Sequence, residues 1–206
     1  LIFTFLFLID IVNNITNLLF ILLEVTLMSQ VLVIKAHPLT AENSRSVAAL
    51  DAFVEAYKIH HPQDTLEILD VYESFIPEID QHLLTSWKAA RNNAPLTTEQ
   101  ETTLARFDAL TEQFLTSDKI VIANALWNLN VPTRLKAWLD TIMVSGKTFK
   151  YTENGPIGLT SGKKMLHIQS NGGLYGGNEP GSQYLETIFN FLGVSDIQHV
   201  FVEGVD

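Results

Sequence analysis

Asp118-Lys-Ile-Val-Ile-Ala-Asn-Ala-Leu-Trp-Asn-Leu-Asn-Val-Pro-Thr-Arg134 is an apolar run that breaks into a polar loop and restarts at a proline. Ile120 to Ala123 is short, rich in β-branched residues and flanked by polar ones, as a strand buried on both faces of a parallel sheet requires. Pro132 stands where a helix begins, because its fixed φ suits the first turn and its missing N–H costs nothing there. A strand-loop-helix of this kind opens at the carboxyl edge of a sheet, where open α/β folds bind ligands. Trp127, between Leu126 and Asn128, gives the loop a flat apolar face beside amide donors and acceptors. That mixture suits a planar, hydrogen-bonding heterocycle; the alternative is a tryptophan that packs beneath the loop.

Working outward, Val31–Ala36, Leu66–Val71, Lys164–Ser170 and Ile197–Val202 have the same short apolar character and read as further strands. Between them lie helical patterns. Val47, Leu50, Phe53, Val54 and Tyr57 recur at helical spacing after Ser44, with Asn43 or Ser44 as the N-cap. Helices are also expected around Leu83–Arg91, over Thr97–Leu115, from Pro132 to about Val144 with Gly146 ending it, and over Pro180–Leu192 with Gly193 as the cap. Thr148–Leu159 reads as a short extended excursion. The alternation of strand and helix implies an α/β domain built on a five-stranded parallel sheet, with helices on both faces.

Composition excludes several classes. The formal charge is −10, from 13 basic and 23 acidic residues, which argues against a nucleic-acid partner. There is no cysteine, so a disulfide scaffold, a thiolate nucleophile and a Cys-ligated zinc are excluded. No His-Glu-x-x-His metal motif is present, and no Gly-x-Ser-x-Gly elbow. Leu1–Leu27 is apolar but broken by Asp10, Asn13, Asn14, Asn17 and Glu24, and it has no Lys or Arg. It fits neither a secretory signal nor a spanning helix. We read residues 1–27 as an extension outside the native domain and 28–206 as the domain; a membrane anchor is the alternative.

Three loops leave the same edge of such a sheet. After the first strand comes a helix N-terminus bearing Ser44 and Ser46, an anion site in outline and an ordinary cap at the least. After the third comes the Trp127 loop. After the fourth, Ser170-Asn171-Gly172-Gly173 lets backbone approach a ligand without an intervening Cβ. Together they suit a phosphorylated flat ring such as FMN.

From Met28 to Asp206 the chain closely resembles the FMN-dependent NADH:azoreductases, a flavodoxin-like family that also reduces quinones. The resemblance rests on Ser44-Arg45-Ser46, on Leu126-Trp127-Asn128-Leu129 followed by Asn130-Val131-Pro132, on Phe149-Lys150-Tyr151-Thr152-Glu153-Asn154-Gly155-Pro156, and on Ser170–Gly173. It implies a doubly wound sheet of order 2-1-3-4-5. It further implies that Ser44, Arg45 and Ser46, with His37, hold the FMN phosphate. Leu126, Trp127, Asn128 and Leu129 then line the isoalloxazine, and Ser170, Asn171, Gly172 and Gly173 bond its pyrimidine edge. Some members have Ser in place of His37 and Arg in place of Asn171. The family is a homodimer with sites at the subunit interface, so Phe149 and Tyr151 are expected in a shared substrate pocket. It also continues into a final helix, and this chain, stopping after its fifth strand, is read as a fragment or truncated product.

The implied activity is ping-pong hydride transfer from NADH through FMN to azo compounds and quinones, in the cytoplasm, with no side chain as catalytic nucleophile. A flavodoxin-type FMN electron carrier is the alternative.

Overall fold

The computed structural model describes residues 28–205. The extension expected over residues 1–27 lies outside the described residues. β1 (Gln30–Ala36), β2 (Thr65–Asp70), β3 (Lys119–Ala125), β6 (Lys164–Asn171) and β7 (Asp196–Glu203) form one parallel sheet in the order β2-β1-β3-β6-β7. β4 (Phe149–Thr152) and β5 (Gly155–Gly158) pair apart from it as an antiparallel hairpin. With the hairpin set aside, the order is the expected 2-1-3-4-5. Its connections are α1 (Arg45–His60), α2 (Gln81–Arg91), α3 (Thr98–Thr116), α4 (Thr133–Ile142) and α5 (Pro180–Leu192).

The alternation within β3 explains the two layers. Ile120 and Ile122 face a core shared with α3, α4 and α5, where Phe114 meets Trp138 and Phe189 edge to face at 6.5 and 6.2 Å. Val121 and Ala123 face the opposite core under Leu50 of α1. A slip of one residue would exchange these sets, so burial on both faces pins the register. Burying each large apolar side chain contributes about 1.5–3 kcal/mol.

Local chemistry sets most helix ends. Ser44, rather than Asn43, caps α1, accepting from Val47 N at 3.3 Å. Thr97 and Gln100 close a reciprocal capping box on α3, and Gly193 ends α5 in the left-handed region at φ 96°. The expectation for α4 needs correction. It runs from Thr133, with Pro132 as its N-cap, to Ile142 rather than from Pro132 to about Val144. It is closed not by Gly146 but by Thr148, whose Oγ1 donates to Ile142 O at 2.6 Å and accepts from Val144 N at 3.0 Å. Gly146, at φ 86°, serves the turn into β4, where its N–H donates to Phe149 O at 2.7 Å.

Candidate functional site

β1 pairs with β2 on one side and β3 on the other, so the chain leaves the ends of β1 and β3 toward opposite faces. The crevice at such a switch point is the ligand position of open α/β sheets. On the β1 side the first turn of α1 presents unpaired N–H groups and two hydroxyls. Ser44 and Ser46 are buried, with their Oγ atoms 3.1 Å apart. Arg45 is exposed beside them and forms no ion pair among the described residues. His37 is buried, and its Nδ1 accepts from Leu39 N at 3.1 Å. Burial first, then the Lys35 ammonium, hold the imidazole below its usual range. A neutral ring whose Nδ1 accepts carries its proton on Nε2.

The third-strand loop is a two-residue turn. Trp127 N–H donates to Asn130 O at 3.1 Å and Asn130 N–H donates to Trp127 O at 3.0 Å. Between them Asn128 (φ 52°) and Leu129 (φ 62°) both take the left-handed conformation, the type I′ pattern. Asn tolerates that region; Leu does so at a cost of about 1–2 kcal/mol. Strain of this kind holds only where the surroundings overdetermine it. The turn projects apolar side chains outward, with Trp127 39% and Leu129 49% exposed. The Trp127 ring lies 5.2 Å from His37, which joins this loop to the first. Beside the turn a cleft of about 410 Å³ is lined by Trp127, Asn128, Asn130, Thr133, Lys136 and Tyr184.

The fourth-strand loop is tied to the turn by Leu126 N–H, which donates to Ser170 O at 2.9 Å. Ser170 is buried, Gly172 half-buried and Gly173 exposed. Neither glycine takes a positive φ; a Cβ on Gly173 would lie 3.0 Å from the Tyr175 ring. Asn171 is fully buried and its side chain points into the protein. It belongs to a polar ladder that the sequence reading did not include. His167, Gln169 and Asn171 lie on one face of β6, level with His199, Asn124 and Glu203 of its neighbours.

Every donor in this ladder has one possible direction. Asn171 Nδ2 donates to Glu203 Oε1 (2.9 Å), and Gln169 Nε2 donates to Asn171 Oδ1 (2.9 Å) and to Glu179 Oε1 (2.8 Å). Asn124 Nδ2 donates to Gln169 Oε1 (3.0 Å) and Ala125 O (3.1 Å), so Asn124 Oδ1 accepts from His167 Nε2–H (2.9 Å). His167 Nδ1 is then an acceptor and takes the Nδ1–H of His199 at 3.2 Å. Burial, with His199 as the lesser cause, pushes His167 down to about 3. Glu179 also caps α5, accepting from Gly181 N at 2.6 Å and Ser182 N at 3.1 Å. The polar residues at alternate positions of β6 were the available signal, since a strand covered on both faces ought to be apolar.

The remaining two expected residues lie elsewhere. Phe149 is buried against Phe191 of α5 at 4.9 Å, and Tyr151 stands 73% exposed on the hairpin. Among the described residues no hydrogen bond or ring contact joins them to the three loops. Among the described residues no cluster of three or more His, Cys, Asp or Glu could hold a metal, and no helix is long and apolar enough to cross a membrane.

A family model described as flavodoxin-like fold matches residues 29–206. An FMN-dependent NADH:quinone oxidoreductase of Streptococcus suis is 51% identical over 177 residues, covering 86% of this chain and 87% of that protein. One of Staphylococcus aureus is 43% identical over 182 residues, with 86% and 88% covered. Among solved structures, an FMN-dependent NADH-azoreductase from Bacillus anthracis in complex with FMN superposes with a TM-score of 0.82 at 36% identity, covering 86% of this chain and 88% of that one.

Proposed function

The chain belongs to the family of flavodoxin-like fold, and from that premise we propose that it is an FMN-dependent NADH:quinone oxidoreductase that also reduces azo compounds. One observation carries the reading. The three carboxyl-edge loops meet, the first and third through His37 and Trp127 and the third and fourth through Leu126 and Ser170. The residues fit the cofactor: a hydroxyl-lined helix N-terminus for a phosphate, an aromatic turn for the ring, and a loop whose Gly172 and Gly173 leave backbone uncovered. Bound there, FMN would supply the redox chemistry, hydride acceptance from NADH and hydride donation to a quinone or azo compound in a ping-pong cycle.

The chain's own residues do the rest. Ser44, Ser46, the α1 amides and Arg45 hold the phosphate, and His37 adds an Nε2–H beside them. Leu126, Trp127, Asn128 and Leu129 line the ring and exclude water from one side. Ser170, Gly172 and Gly173 meet its pyrimidine edge, and Asn171 supports them from beneath. The cleft beside Trp127 leaves room for a planar donor or acceptor. The site is completed in a homodimer, where the exposed Tyr151, backed by Phe149, faces the partner; a cytoplasmic location accords with this chemistry.

Anaerobic NADH added to the full chain reconstituted with FMN, followed by menadione or an azo dye, tests the reading. Rapid two-electron bleaching and then reoxidation by either acceptor is expected, and the ratio of the two rates ranks quinone against azo compound. Binding of FMN without bleaching by NADH would move the assignment to an electron carrier.

A further inference from the structure

Glu203 closes β7, level with Asn171 in the register and outside the three loops that form the crevice. Its Oε1 accepts from three donors that belong to the fourth-strand loop. These are the backbone N–H groups of Tyr175 and Gly176, each at 2.8 Å, and Asn171 Nδ2 at 2.9 Å. No other described side chain ties the middle of this loop to the sheet in this way. A carboxylate is suited to the task, since charge-assisted bonds to an anion are stronger than bonds to a neutral amide oxygen. The ladder behind Asn171 fixes which end of that amide faces Glu203, so the carboxylate meets a donor and never a competing oxygen.

We propose that Glu203 is a positioning residue for the ring-binding loop, acting through Asn171, Tyr175 and Gly176. The proposal rests on the flavin reading for its purpose, though not for the clamp itself. Gly172 and Gly173 lie between the pinned residues Asn171 and Tyr175. With both ends held, the backbone that meets the pyrimidine edge is ordered before a ligand arrives, which lowers the ordering cost of binding.

The test measures two quantities on the full chain: amide hydrogen exchange without FMN, and the FMN dissociation constant by fluorescence quenching. In E203A the amides of Tyr175 and Gly176 should exchange at least about tenfold faster while those of β3 are unchanged, and FMN should bind about tenfold more weakly. E203Q should fall between, because its Oε1 still accepts. Unchanged exchange in E203A overturns the proposal, as does faster exchange with undiminished FMN affinity. If E203A does not fold, E203Q decides: the amides of Tyr175 and Gly176 must then exchange faster together while those of β3 are unchanged, and persistent protection overturns the clamp. An unaltered chain that fails to bind FMN while its loop amides still depend on Glu203 removes the flavin reading and supports the clamp.

Discussion

The Trp127–Asn130 turn and the Asn171–Gly177 loop flank the same crevice and are held by opposite means. The turn is closed by its own backbone, two reciprocal N–H···O bonds around two residues at positive φ. The loop is held by side chains, the ladder from His199 to Glu203 and the cap at Glu179. A backbone-closed turn has nothing to titrate and bears its cost as local strain. A side-chain-held loop escapes strain but inherits the protonation states of its buried groups.

Acid provides the largest contrast. The folded His167 takes a proton only at about 3, against 6.5 for an unperturbed ring. The unfolded chain therefore binds this proton first, and stability present above pH 6.5 is lost progressively as pH falls toward 3. At about 1.36 kcal/mol per pKa unit the loss approaches about 5 kcal/mol, an upper figure. Urea denaturation across this range should show the decline, with the loop amides losing protection before those of Trp127 and Asn130. A flat profile would mean that His167 is not buried as described.

An intermediate effect strikes both regions together. Gly181 lies where α5 passes the turn, and a Cβ there would approach Glu179 Oε2 to 3.0 Å, Leu126 Cδ1 to 3.1 Å and Asn130 C to 3.2 Å. Gly181→Ala should cost about 1–3 kcal/mol in thermal denaturation and weaken FMN binding, because both the turn and the cap must shift. A neutral result would show that the two regions are not packed against each other.

The contrast between α5 and the ladder also marks what could be read in advance. Pro180 and Gly193 bracket α5 by local preference, and Ser44 and Pro132 announce their helices in the same way. The five strands announced themselves as short apolar runs between breakers. The crevice loops followed from that order. The ladder did not, because Asn124, His167, Gln169, His199 and Glu203 become one object only through the register of β3, β6 and β7. Nor did the type I′ turn, which contains no glycine to signal two positive φ values. The end of α4 was misread because a side chain, Thr148, completes it rather than the nearby glycine.

The smallest effect has opposite signs in its two readouts. Leu129→Gly should relieve the left-handed strain and raise stability by up to about 1 kcal/mol. It should also lower FMN affinity, since the exposed apolar face of the turn is lost. A variant no more stable than the parent would place the turn's strain elsewhere.

The one-way order of the ladder has an electrical consequence. Its amides and imidazoles are dipoles, and each is locked by a neighbour that accepts or donates in only one sense. Reversing an amide would set two oxygens or two N–H groups face to face, and reversing an imidazole would set a nitrogen lone pair against another acceptor, so they cannot turn singly. A change of charge at the sheet edge would therefore meet an environment that responds very little. Such stiffness keeps reorganisation energy low, the property a site needs if electrons are to arrive and leave without rearranging what surrounds them.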